Sequence, residues 1–373
     1  MAASTTHEKS GLLSVAETNT RSPTLSDRIL ERREFLRSLT AAAMALAAGL
    51  PTVTALAGAV GTPRRIDVHH HFVPPLFEQS ARERNLLNPA LNGLSVGRSL
   101  DEMDRNGVAS AVLSIPSPGT WYGNVELAQR IARDANDCAA RLVSDHKRRF
   151  GMFATLTLPD LDSSLAEMAY AFDQLNADGI HMWTNYGDFW LGDPRLSPLL
   201  EELNRRKAVV FTHPTTPNCC GHLLPEAPVP MIEYGTDTTR SIASLVLSGA
   251  TSRYPDIRWI FSHAGGTMPF LLERFLFQAG IQSKTPEGAQ KIPNGVLYEL
   301  RRLYFDTAQS ANPYAMGPLA RLVSNTQICF GTDFPYRAIA DNVGGLAQCG
   351  VFGRRDLDQI ERANAARLLP RLA

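Results

Sequence analysis

Eight short runs dominated by Val, Ile, Phe and Trp recur along the chain from residue 65 onward, bounded by Gly, Pro or Asp. They read "RIDVHHHF", "VASAVLSIP", "FGMFATLTL", "GIHMWTN", "AVVFTHP", "IRWIFSHA", "LYFDTA" and "QICFGTDF". Between most of them lie segments with apolar residues at helical spacing, of which "NVELAQRIARDANDCAARLVSDH" is the clearest. Eight strands alternating with helices over roughly 300 residues predict an α/β protein, a (β/α)8 TIM barrel. A doubly wound open sheet is the alternative, since it gives the same alternation. No Gly-rich dinucleotide loop follows the first run. The placement of polar residues decides for the barrel.

In such a barrel the working groups sit at the C-terminal ends of the strands. The first run ends in His69, His70 and His71, the fifth in His213, the sixth in His263 and the eighth in Asp333. Five of the nine histidines lie at these ends. Side chains alternate across a strand, so His69 and His71 share a face and point together into the barrel mouth. His70 points the other way, towards the helix layer, unless a bulge intervenes. Asp67 has the parity of the pair, one step deeper. Imidazoles with a carboxylate suit one divalent metal, zinc first, with manganese or magnesium as alternatives. His69, His71, His213 and Asp333 would supply three nitrogens and an oxygen and leave a position open for water or substrate.

The first 63 residues read differently. A polar stretch rich in Ser, Thr and Glu leads into "ERREFLRSLTAAAMALAAGLPTVTALAGAVGTP". Arg32 and Arg33 precede Phe35 and Leu36, and a weakly hydrophobic Ala-rich run follows. This resembles a twin-arginine export signal around residues 31–57, with small residues at 55–57 for cleavage. The expected division is therefore 1–63 as signal and linker and 64–373 as the barrel. The product would be exported, or cytoplasmic if the signal does not function. Gly49, Pro51 and the Thr residues interrupt the apolar run, so no membrane span is expected in the mature chain. Formal net charge is zero, which gives nucleic-acid binding no support. Of five cysteines, Cys219 and Cys220 are adjacent, a poor geometry for an ordinary disulfide, and no disulfide-built fold is expected.

"DVHHHF", "THP", "SHAGG" and "GTDFP", in this order, resemble the amidohydrolase superfamily, and most of all its metal-dependent decarboxylases of the aminocarboxymuconate-semialdehyde type. The likeness runs from Arg64 to the C-terminus. It implies His69, His71, His213 and Asp333 as metal ligands and His263, with Asp333, as the catalytic acid–base groups. "TNYGDFWLGDPRLSPLLEELNRR", "HPTTPNCC" and "EYGTDTTRSIASLVLSG" look similar to 6-methylsalicylate decarboxylases. The fourth run lacks the bridging lysine of two-metal members, which implies a single ion. Relatives in this branch are commonly dimers, and "FLLERFLFQAGI" at residues 270–281 is amphipathic enough to pack on a second copy.

The expected reaction is non-oxidative decarboxylation of a small aromatic or unsaturated carboxylic acid, with no redox cofactor. The alternatives are hydrolysis of a lactone or other cyclic ester or amide, and a non-catalytic exported binding protein. A carboxylate substrate needs a cation or an apolar slot. Arg240 and Trp183 are candidate substrate contacts, for charge and for ring stacking. Asp306, ending the seventh run, either orients a ligand histidine or caps the next helix. His181, inside the fourth run, is read as packed or hydrogen-bonded rather than as a ligand.

Overall fold

The structure, a computed structural model, describes residues 64–373. The signal read at residues 31–57 lies outside them. Eight strands form one parallel sheet in chain order: β1 Arg65–His71, β2 Val108–Ser114, β3 Phe150–Thr155, β4 Gly179–Trp183, β5 Val209–His213, β6 Arg258–Phe261, β7 Tyr304–Asp306 and β8 Ile328–Cys329. Each falls inside one of the eight runs. The sheet curls back on itself, because the chain beyond β8 continues to bond β1. Val68 N–H donates to Phe330 O at 3.0 Å, Asp333 N–H to His69 O at 2.9 Å and His71 N–H to Phe334 O at 2.9 Å. No helix among the described residues is long and apolar enough to cross a membrane.

β8 is only two residues long, shorter than its eight-residue run. A Cβ at Gly331 would stand 2.9 Å from Asp306 Cβ and 3.0 Å from His69 Cβ, so the backbone crosses close to its neighbours there. Asp67 then holds the crossing. Its carboxylate accepts from Thr332 N–H at 3.0 Å and from the Thr332 hydroxyl at 2.6 Å. β1 carries an extra residue between Asp67 and His70 relative to β2. That irregularity turns Asp67 towards β8, while the alternation of His69 and His71 survives.

Phe153 and Phe211 stack at 5.3 Å in the cluster that also holds Ile66, Val68 and Ile260. Leu368, Leu369 and Leu372 at the C-terminus pack against the same cluster. Burying side chains of this size stabilises by about 1.5–3 kcal/mol each relative to exposure. His69 rests edge-on to Phe211, at 4.9 Å, so the polar site stands directly on this apolar layer. Adjacent Cys219 and Cys220 are joined by a disulfide in the loop after β5, against the expectation from their spacing. It closes no chain loop, so the fold is still not one built on disulfides. Cys138, Cys329 and Cys349 are free.

Candidate active site

Strand ends deliver the four expected ligands to one place. One ligand atom each from His69, His71, His213 and Asp333 lies within 4.8 Å of all the others, and all four side chains are buried. Asp333 Oδ1 sits 2.9 Å from His71 Nε2, 3.1 Å from His69 Nε2 and 3.8 Å from His213 Nε2. Ligands about 2.1 Å from one tetrahedral ion stand roughly 3.4 Å apart, so this spacing fits a single cation. Two further observations support the fit. The Nε2 atoms of His69 and His213 are buried without a hydrogen-bond partner. Moreover, the opposite nitrogen of each imidazole is occupied: His69 Nδ1 by Asp306 at 2.7 Å, His71 Nδ1 by Ser114 O at 3.3 Å and His213 Nδ1 by Pro214 O at 2.8 Å. An N–H donated there turns every Nε2 to the cluster, with a lone pair free on His71 and His213 and, on His69, once its second proton leaves.

Asp306 therefore orients His69, one of the four candidate ligands. Its other oxygen accepts from the backbone N–H of His263 at 2.8 Å and of Ala308 at 3.0 Å. The following helix, Pro313–Leu322, is capped by Asn312 instead. His70 faces the helix layer, with Nε2 3.1 Å from the Ser99 hydroxyl and Nδ1 3.2 Å from Asp67.

The electrostatics follow from burial and from Asp333. Burial lowers the proton affinity of His71, and takes that of His213 down to about 3. Burial acts on His69 too, but the charges of Asp333 and Asp306 outweigh it and raise His69 to about 10. Burial would raise Asp333, yet the surrounding imidazoles hold it well below the usual carboxylate range. Before a metal binds, one proton on His69 thus serves as the cation of the cluster.

His263 joins Asp333 from the other side, with Nε2 3.2 Å from Asp333 Oδ2. The Gln309 side-chain amide donates to the same oxygen. Backbone strain accompanies this geometry. His263, Gln309 and Asp333 have φ of 53°, 51° and 62°, a region non-glycine residues rarely occupy.

A cavity of about 820 Å³ opens above the cluster. His213, His263, Asp333 and Gln309 form its base, with Tyr234 and Tyr336 beside them. Burial keeps both phenols protonated well into alkaline pH, so they are hydrogen-bond donors at neutrality. Leu86, Leu87, Pro118, Pro230 and Met231 make its apolar wall. Sequence reasoning assigned no role to Gln309, Tyr234 or Tyr336. Gln309 and Tyr336 stand three residues past Asp306 and Asp333, and that proximity to strand ends was the available signal.

Two expected substrate contacts lie elsewhere. Trp183 is buried beside the cluster, edge-on to His213 at 5.6 Å, but does not line the cavity. Arg240 pairs with Glu233 at 3.3 Å and Asp237 at 3.6 Å and also stays outside the lining. His181 is fully buried and edge-on to Trp183 at 4.5 Å, and neither of its ring nitrogens has a hydrogen-bond partner.

The mouth of this parallel eight-stranded α/β barrel thus gathers three imidazoles and a carboxylate that could hold one metal ion. Residues 66–371 match the family model described as Amidohydrolase, and the chain belongs to that family. The relative called decarboxylase macB, from Penicillium terrestre, is 37% identical over 334 residues, 82% of this chain and 95% of that one. A 6-methylsalicylic acid decarboxylase from Penicillium expansum is 34% identical over 280 residues, 73% of this chain and 85% of that one. Among solved structures, a dihydroxybenzoic acid decarboxylase from Polaromonas sp., with bound manganese and the inhibitor 2-nitroresorcinol, superposes with a TM-score of 0.71 at 19% identity, covering 83% of this chain and 97% of that one.

Proposed function

We propose that this chain is a metal-dependent, non-oxidative carboxy-lyase that releases CO2 from a small ortho-hydroxybenzoate of the 6-methylsalicylate kind. The observation that carries the reading is the double engagement of Asp333. One oxygen belongs to the ligand cluster, and the other meets His263 at 3.2 Å on the cavity side. The decarboxylase relatives support the reaction and the aromatic acid. His69, His71, His213 and Asp333 would hold the ion, and zinc and manganese both suit that donor set. Bound there, the ion supplies Lewis acidity and a template for the carboxylate and neighbouring hydroxyl of the substrate.

The protein's own groups do the rest. Tyr234, Tyr336 and the apolar wall hold the ring and exclude water. As the bond to the carboxyl carbon breaks, its electron pair stays on the ring carbon and CO2 leaves. A proton held between His263 and Asp333 is delivered to that carbon. Charge and atoms balance without an oxidant. We also place the working unit as a homodimer, because Phe270, Phe277 and Ile281 on the 270–281 segment are exposed. Export through the 31–57 segment rests on the sequence pattern alone.

The test is product analysis with metal-loaded full chain, offered hydroxybenzoates and small lactones. CO2 equal to the phenol formed supports the lyase. Ring opening of a lactone without CO2 would move the assignment to hydrolysis.

A further inference from the structure

The cavity has a charge composition that its apolar wall alone does not reveal. Asp333 brings one negative charge to its base, and no Lys or Arg side chain lines it among the described residues. Neighbouring arginines are engaged elsewhere. Arg240 pairs with Glu233 and Asp237. Arg84 donates to Ser80 O at 2.9 Å and covers the Tyr122 ring at 4.8 Å. Arg98 lies over the Phe334 ring at 5.7 Å, and Arg337 pairs with Asp341 at 3.1 Å. The remaining polar lining, Asn85, Asn88, Ser117, Thr267 and Ser310, is neutral. Neutral amides and hydroxyls offer hydrogen bonds but do not compensate a buried charge.

Building on the functional reading above, we propose that the site is selective for monocarboxylates: it accepts a ring whose single carboxylate reaches the ligand cluster, and rejects a ring carrying a second carboxylate. A second anionic group would be left against Leu87 and Pro118, the less exposed part of the wall, or among neutral amides, with no cation to meet it. An alkyl group at the same ring position would bury on that wall instead. The rule concerns charge rather than size, because about 820 Å³ leaves room for either substituent.

The experiment compares two ligands of nearly equal size and shape. One is 4-hydroxyisophthalate, and the other is its monomethyl ester at the carboxyl para to the hydroxyl. Both are titrated calorimetrically into the full chain loaded with Mn2+ at neutral pH. The ester is expected to bind at least about 30-fold more tightly than the diacid. Met231→Lys, and separately Leu86→Lys on another part of the wall, should narrow that ratio about tenfold by supplying the missing cation. Both positions are solvent-accessible, Met231 at 76% and Leu86 at 50%, so a lysine there is compatible with folding. Equal affinity for ester and diacid would overturn the inference and leave the lyase reading intact. Failure of both to bind metal-loaded protein would contradict the lyase reading and remove the inference with it.

Discussion

Asp306 is a single carboxylate on which two functions converge, since it fixes the ring of His69 and the backbone of His263. Asp306→Asn should weaken metal affinity about 10- to 100-fold, measured by competition with a chromophoric chelator. Unchanged affinity would show that His69 is positioned by packing alone. The role proposed for His263 is proton delivery rather than metal binding. His263→Asn should lower kcat by about 10²–10⁴-fold at unchanged metal content. The proton on His69 gives a pH dependence of known sign. Its affinity is raised to about 10 by Asp333 and Asp306 against burial, and a cation at Nε2 must displace that proton. Metal affinity should therefore rise about tenfold per pH unit above neutrality and level off near pH 10. The metal-free fold gains stability from the same proton below about pH 6.5 and loses it as pH climbs through about 10. The melting-temperature difference between metal-loaded and metal-free protein should accordingly widen with alkalinity. A difference flat across this range would remove His69 as the proton carrier.

The turn "SHAGG" after β6 shows how a segment serves a side chain. His263, Ala264, Gly265 and Gly266 all have positive φ, from 53° to 76°. This left-handed course aims His263 at Asp333. Gly266 also packs against the helix Val229–Leu247, where a Cβ would come within 2.0 Å of Gly235 O. Gly266→Ala should cost at least about 2 kcal/mol, seen as a lower denaturation midpoint. Because the helix carries Tyr234 into the cavity, turnover should fall as well. The motif was legible as a site in the sequence because a histidine at a strand end implies a rim position. Its glycines were not legible as a contact with Gly235, 31 residues earlier, since nothing local records which backbone approaches them. The same limit applies to Arg240. Its charge and its place after β5 are visible in the sequence, but its pairing with Glu233 and Asp237 depends on how the helix is rotated. The extra residue in β1 was hidden too, so Asp67 carried the parity of the ligand pair while its carboxylate serves the closure of the barrel.

For the molecule as a whole, the order of strands was readable because every βα unit repeats one pattern, and chain order became spatial order around the barrel. The ligand set was readable for the same reason: strand ends converge wherever a barrel closes. The cavity was not, because its wall comes from segments as distant as Leu86 and Met231. Metal, pair and wall together make one claim, that this barrel replaces a carboxyl group by a proton. The most direct test follows a carboxyl-labelled ortho-hydroxybenzoate in D2O by NMR, using metal-loaded full chain before and after chelation. One labelled CO2 per phenol, one deuterium at the vacated ring carbon, and loss of both on chelation are the predicted result. Consumption of substrate without CO2, or deuteration that survives chelation, would contradict it.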